Sequence, residues 1–165
     1  MSDNFHKIEV PFTAAVADAK EQIKSQMKGR SYRAANELRN ASLQVLRGQR
    51  HGRRYKVPGT YRRQRDKATG KMKKGRYYTA SAPGEPPAAR TNTLRISWKP
   101  SARYSDAFGE YWSRIQSDVR TENGRHNLAK ILENGTSRMA PRPLHDPIVE
   151  KALPKIKRIY SEPYF

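Results

Sequence analysis

The stretch from Asn127 to Pro143 decides how the C-terminal part of the chain folds, and it reads Asn-Leu-Ala-Lys-Ile-Leu-Glu-Asn-Gly-Thr-Ser-Arg-Met-Ala-Pro-Arg-Pro. Its first apolar residues recur at helical spacing, and the pair Asn134-Gly135 is typical of a helix that ends in the left-handed conformation. The prolines near its end exclude both a helix and a central strand. The pattern predicts a short helix over about 126–133, followed by a rigid extended connector.

A second helix is predicted after this connector. Asp146 followed by Pro147 is a good helix start, and apolar residues continue at helical spacing as far as Ile159. We therefore expect a C-terminal helix over about 147–160, which Pro154 should kink or end. The tail 161–165 is expected to be extended and able to pack on a neighbouring subunit.

The N-terminal third carries the longest helical pattern. Residues 1–12 are expected to form an extended lead-in because of Pro11, with Thr13 as the helix N-cap. Gly29 costs the helix about 1 kcal/mol and marks a possible bend or break. The pattern predicts a long helix over about 13–47. We expect its apolar stripe to pack chiefly in the core, with presentation to a neighbouring subunit as the lesser alternative. The stripe consists of Val16, Ala19, Ile23, Met27, Ala34, Leu38, Ala41 and Val45.

The segment from Arg47 to Arg76 is strongly basic. It holds thirteen Lys or Arg residues against one acid, Asp66, and tyrosines alternate with polar residues on both sides of a turn-like centre. From its charge alone, the segment is equally consistent with a solvated loop and with a binding element. The tyrosines favour an ordered β-hairpin arm over 53–80. We expect this arm to contact phosphates or an acidic neighbour without reading base sequence. The arm presents Arg53, Arg54, Lys56, Arg62, Arg63, Arg65, Lys67, Lys71, Lys73 and Lys74.

The middle of the chain is predicted to be a loop followed by an antiparallel meander. Residues 81–93 are rich in proline, and strands are expected over 94–98, around 102–109 and over 111–119, where apolar and polar residues alternate. Residues 121–124 provide a turn. The whole predicts one α+β domain over 1–165, in which a long N-terminal helix and a C-terminal helix pack on an antiparallel sheet that carries the basic arm.

Composition limits the classes of protein. A chain of 165 residues supports one domain, but 35% hydrophobic content and a mean hydropathy of −1.00 suggest that part of it is buried only against other subunits. The formal net charge of +19 favours a polyanionic partner. Cysteine is absent, which excludes disulfides. Neither a run of roughly 20 apolar residues nor a signal peptide is present, so we expect a soluble protein without membrane contact.

Residues for catalysis are sparse. The four histidines are scattered, and the close carboxylate pairs are Asp106 with Glu110 and Asp118 with Glu122, each better explained as a partner of surface arginines. Glycine-rich phosphate loops and nucleophile elbows are absent. We expect no enzyme activity, no cofactor and no metal.

Two motifs in this sequence resemble those of a known family. Glu133 to Pro143, followed by a hydrophobic helix, resembles the E-x-G-T-x-x-M-x-x-x-P signature of the small neck and tail-completion proteins of tailed bacteriophages. Ser81 to Trp98 is similar to that family's S-A-P-G-x-P-P-x-x-x-T-G-x-L-x-x-S segment, with Asn92 where the family usually has glycine. The residues assigned to the family motifs and to assembly are Pro83, Gly84, Pro86, Pro87, Thr91, Leu94, Ser97, Glu133, Gly135, Thr136, Arg138, Met139, Pro141 and Pro143.

This resemblance implies a structural protein of the virion neck, made in the host cytoplasm. It implies a homo-oligomeric ring of six subunits that joins the head connector or stopper to the tail terminator or tail tube and lets genomic DNA pass. It also implies an ion pair of Glu133 with Arg138, Arg142 or an arginine of the next subunit. A tail terminator is the alternative within the class; a ribosomal-type RNA-binding protein and, with less support, a metal-dependent nuclease using His126 and Asp118 are alternatives outside it.

Overall fold

The computed structural model describes residues 2–57, 65, 67–71, 75–105 and 109–164, with side chains from residue 15 onward. Its elements in chain order are α1 (Ser2–Arg47), β1 (Arg54–Lys56), β2 (Tyr77–Thr79), α2 (Thr93–Ile96), β3 (Lys99–Ser105), β4 (Glu110–Gln116), α3 (Leu128–Asn134) and α4 (His145–Tyr160). β1 pairs antiparallel with β2, and β3 pairs antiparallel with β4.

The α+β architecture predicted from the sequence is confirmed: α1 and α4 pack together against the β3–β4 hairpin. The centre of the core is formed by Ala41 and Leu46 of α1 with Ile148 and Ala152 of α4. Leu94, Trp98 and residues of α3 pack around it. Burial of this small apolar cluster is what holds the two helices on the hairpin.

The N-terminal helix is longer than predicted. It begins at Ser2 and passes through Pro11, so the extended lead-in and the N-cap at Thr13 were wrong. Proline removes a single backbone donor from the ladder, and the helix continues despite that loss. Gly29 causes no break either. An added Cβ there would meet no atom within 4 Å.

The apolar stripe of α1 divides into two parts. Ala34 and Ala41 are buried, as core packing requires. Val16 and Ile23, which lie on the same face about three to five turns before Ala34, are 52% and 37% exposed. The prediction of core packing therefore holds only for the second half of the stripe.

The predicted strand over 94–98 is wrong, because these residues form α2 and the turn that follows it. Leu94 and Trp98 both pack against the core, which helical spacing of four residues permits as well as strand alternation does. Asn92 has a φ of 61°, the left-handed conformation that its position in the motif requires. The chain then enters β3, where Pro100 pairs with Ile115 of β4. Pro100 lies inside β3, since a strand paired on one side tolerates a missing donor.

The predicted meander is therefore a hairpin of two strands, with Lys99 opposite Gln116 and Ser105 opposite Glu110. Residues 106–108 of the predicted second strand lie outside the described residues. The turn at 121–124 is confirmed by a hydrogen bond from the Gly124 N–H to the Thr121 carbonyl at 2.7 Å. It leads to α3, whose N-cap Asn127 accepts a hydrogen bond from the Lys130 N–H at 3.2 Å.

The C-terminal helix begins two residues before the predicted start. Leu144 is its N-cap, so Pro147 lies inside the first turn, where its missing N–H has no intrahelical partner to lose. The helix continues through Pro154 to Tyr160. Its end agrees with the prediction, and the helix does not end at Pro154. No described helix is long and apolar enough to cross a membrane.

The C-terminal tail packs on α1 of its own chain. Arg33 donates two hydrogen bonds of 2.6 Å to Glu162, and Arg30 donates one of 2.6 Å to the Pro163 carbonyl. The Arg30 guanidinium lies 3.9 Å from the centre of the Tyr164 ring. The hydrogen bonds from Arg33 lower the pKa of the Glu162 carboxyl. These contacts fasten residues 162–164 to the middle of α1.

Candidate assembly and DNA-contact site

The connector after α3 is a tight, glycine-dependent turn. Gly135 has a φ of 72°, and a Cβ at this position would lie 2.6 Å from the Met139 carbonyl oxygen. Thr136 and Met139 exchange backbone hydrogen bonds of 2.8 and 3.2 Å. Only glycine fits this geometry without strain, which explains why the chain carries it there. Arg138, between the two, is exposed.

Glu133 has a different role from the one predicted. Its Oε2 accepts hydrogen bonds from the backbone N–H groups of Leu144 at 2.7 Å and His145 at 3.1 Å. Among the described residues it forms no ion pair with Arg138 or Arg142, so that prediction was wrong; a pair with a neighbouring subunit stays a prediction. The carboxylate caps the N-terminal end of α4, where two backbone donors and the helix dipole both favour a negative charge.

The two sequence motifs meet in space. Arg142 donates to the Ser81 carbonyl at 3.0 Å, and the Gly84 N–H donates to the Pro141 carbonyl at 3.3 Å. The Arg142 N–H also donates to the Leu132 carbonyl of α3 at 2.8 Å. One residue of the second motif thus holds the first motif and α3 together. The motif residues act as a structural junction between distant parts of the chain.

A hydroxyl cluster continues this junction toward the hairpin. Ser97 bonds to Ser117 at 2.6 Å and donates to the Leu94 carbonyl at 2.8 Å. The side chain of Asn127 donates to the Ser117 carbonyl at 2.7 Å. Ser117 is buried, so these bonds satisfy polar groups that would otherwise be costly. The cluster joins α2, the end of β4 and the start of α3.

Glu85 is a residue of the first motif that sequence reasoning passed over. Its carboxylate accepts hydrogen bonds from the Ala82 N–H at 2.9 Å and the His51 N–H at 3.1 Å, and it contacts His51 Nδ1 at 2.6 Å. The hydrogen bonds from Ala82 and His51 lower the pKa of Glu85 to about 2. Glu85 fixes the proline-rich loop to the segment that leads into β1. The proline-rich sequence around Glu85 does not indicate that its partner is His51, which lies 34 positions earlier.

Arg50 is a second residue that the sequence did not single out. Its NH2 donates to the Val45 carbonyl at 2.6 Å and to the Pro87 carbonyl at 3.2 Å, so it ties the end of α1 to the first motif. Desolvation by burial lowers the pKa of its guanidinium. In a basic segment such a residue looks like its solvated neighbours, because the bonds to main-chain carbonyls leave no signal in the sequence.

The base of the predicted arm is an ordered antiparallel pair. β1 and β2 match Arg54 with Thr79 and Lys56 with Tyr77, and the Val57 N–H extends the pairing to the Arg76 carbonyl at 2.8 Å. Gly52 lies so close to the Ala80 carbonyl that an added Cβ would be 2.6 Å from it. Residues 58–64, 66 and 72–74 of the predicted arm, which include Arg62, Arg63, Lys73 and Lys74, lie outside the described residues.

Arginines and tyrosines interleave on this base. Tyr55 stacks on Tyr78 with ring centres 5.7 Å apart, and the Arg54 guanidinium lies 4.5 Å from the centre of the Tyr77 ring. Tyr55 and Tyr77 are both nearly half exposed. The described cations of the arm are all exposed: Arg53, Arg54, Lys56, Arg65, Lys67 and Lys71. This surface presents both positive charge and aromatic faces to solvent.

No group of three His, Cys, Asp or Glu residues in the described parts of the chain is arranged to hold a metal ion. His126 takes part in a turn, where its N–H donates to the Thr121 hydroxyl at 3.3 Å. Comparison with models of known protein families, with curated proteins and with solved structures gives no significant match to this chain.

Proposed function

We propose that this chain is a structural subunit of the neck of a tailed bacteriophage, which assembles into a ring between head and tail and surrounds the passing DNA. The observation that carries the proposal is the junction of the two motifs that resemble the neck and tail-completion family. Arg142, Pro141 and Glu133 of the second motif bind the first motif and the start of α4 through backbone groups. The junction brings the two motifs into one structural unit, and together with their resemblance to the family it supports the proposal.

Assembly is supported by the exposed half of the α1 stripe. Val16 and Ile23 lie on one side of a helix whose other described residues from 15 to 26 are also mostly exposed. A helical segment without tertiary packing is marginally stable in water. Its apolar stripe gains stability when a second subunit covers it, as in helix packing between protein chains. α1 therefore supplies a contact surface for a neighbouring subunit.

The DNA channel is supported by the charge. Six copies with a net charge of +19 each repel one another strongly unless a polyanion lies among them. The exposed arginines and lysines at the base of the arm match the phosphate backbone, and nothing in their spacing suggests readout of bases. A subunit of this kind binds DNA of any sequence, as passage of a whole genome requires.

The proposal is tested by the mass of the purified protein in solution, at low and high salt, alone and with the connector and tail proteins encoded beside it. We expect a ring near 114 kDa, six times 19.0 kDa, or a monomer that assembles on those partners. A monomer that ignores the partners and instead binds structured RNA in a salt-dependent manner would overturn the proposal in favour of RNA binding.

A further inference from the structure

A cavity of about 470 Å³ lies between the C-terminal end of α1, strand β2 and the loop before α2. Apart from Tyr78, every ionisable residue in its lining is basic: Arg47, Arg50, His51 and Arg95. Glu85, a carboxylate that contacts His51 of the lining, is occupied by hydrogen bonds from Ala82 and His51. The cavity therefore has the charge of an anion site, and the carboxylate beside His51 is already engaged.

The three arginines of this lining differ in how many of their hydrogen-bond donors are free. Arg50 is held by the carbonyls of Val45 and Pro87, so it contributes a fixed positive charge but few free donors. Arg95 makes no hydrogen bond or ion pair with any described residue, and its Nε is buried without an acceptor. Arg47 is exposed at the rim and likewise has no partner among the described residues. Arg95 and Arg47 thus have donors to spare, and in Arg95 one of them is removed from water.

A buried guanidinium donor without an acceptor is unfavourable, and an anion that enters the cavity relieves it. Phosphate oxygens suit the fork of an arginine side chain better than any other common biological anion except a carboxylate. The position of the cavity decides between the two. Tyr78 and Thr79 of β2 line it, so it opens beside the exposed cations at the base of the arm.

We propose that this cavity binds one phosphate of the DNA backbone, with Arg95 and Arg47 as its ligands and Arg50 as a fixed neighbouring charge. The inference rests on the proposed function, since DNA in the ring's channel is the source of the phosphate. It adds to that function a built site that anchors DNA at the root of the arm, so that the contact does not depend on surface charge alone.

The test compares two double variants of the full-length protein by fluorescence anisotropy with a labelled 16-base-pair DNA duplex over 50–300 mM KCl. Arg47→Gln/Arg95→Gln removes the proposed ligands. Lys151→Gln/Lys157→Gln removes the same charge from exposed positions of α4. Arg47→Gln alone, at an exposed position, serves if the double variant fails to fold, and circular dichroism checks the fold of each protein. An RNA hairpin of equal charge is titrated in parallel.

Loss of one phosphate contact should lower the slope of log affinity against log salt by about 0.9, which is about an eightfold loss of duplex affinity at 0.1 M salt. We expect this loss for Arg47→Gln/Arg95→Gln and a smaller one, with an unchanged slope, for the lysine control. Equal behaviour of the two double variants would overturn the site. Loss confined to the RNA hairpin would overturn its assignment to DNA. These outcomes are independent of ring formation, which tests the proposed function separately.

Discussion

Replacement of Glu133 by alanine should destabilise the monomer through loss of the cap of α4. Its carboxylate accepts hydrogen bonds from the N–H groups of Leu144 at 2.7 Å and His145 at 3.1 Å, and Leu144 is only 3% exposed. A hydrogen bond to a charged group is worth about 1.5–3 kcal/mol when one of its partners is buried, and helix caps are typically worth about 1 kcal/mol. We therefore expect Glu133→Ala to lower the free energy of unfolding by about 2 kcal/mol.

Urea denaturation followed by circular dichroism measures this loss, and thermal unfolding should show a decrease in Tm of about 4–8 °C for a chain of this size. Glu133→Gln keeps an acceptor but loses the attraction of the charge to the helix dipole, so its loss should be smaller. Glu150→Ala is the matched control, because it removes an exposed carboxylate from α4, the helix that Glu133 caps. If Glu133→Ala unfolds at the same urea concentration as Glu150→Ala, the capping role is refuted.

Three further predictions follow from particular contacts. The folded pKa of Glu85 is about 2, below its usual 4.5, so its contribution to stability is present above about pH 4.5 and is lost as the pH falls toward 2. Glu85→Gln should therefore reduce the fall in stability between pH 4.5 and pH 2. The control Glu122→Gln, at an exposed site, should leave this fall unchanged. Gly135→Ala should lower the free energy of unfolding in urea by at least about 1–2 kcal/mol, since φ is positive and the Met139 carbonyl is 2.6 Å from the new Cβ. Gly29→Ala, in open space in mid-helix, should raise it by about 0.5–1 kcal/mol. Equal effects of the two substitutions would contradict this prediction. Val16→Asp/Ile23→Asp should abolish assembly in size-exclusion chromatography at unchanged Tm, while Gln22→Asp/Ser25→Asp, on the other side of α1, should not; assembly by both would exclude the stripe as an interface.

The elements that the sequence predicted well are those with a long or well-marked pattern. The second half of α1, the end of α4, the turn at 121–124 and the pairing at the root of the arm all agree with it. The predicted strand over 94–98 was wrong because Leu94 and Trp98 can face the core in either a strand or a helical turn. Their spacing of four residues therefore did not distinguish the two structures. Neither Pro11 nor Pro154 ends its helix, for a simpler reason: each removes one hydrogen bond, and the remaining contacts of the helix outweigh that loss.

The contacts of the site were less accessible to sequence reasoning. The sequence singled out Glu133, but whether its carboxylate meets an arginine or a helix start depends on where the chain returns after the connector. His51 and Glu85, like Arg142 and Ser81, are far apart in sequence and are joined through backbone groups that every residue carries. The unpaired Nε of Arg95 appears only once burial is known.

The ring itself provides the most direct test of the account. Electron micrographs of the purified protein, mixed with the connector and tail proteins encoded beside it, should show closed rings with a central channel wide enough for duplex DNA, and these rings should be missing from the Val16→Asp/Ile23→Asp variant. A wild-type protein that stays monomeric at 19.0 kDa in every mixture and forms no closed particle would contradict the proposed role in the neck.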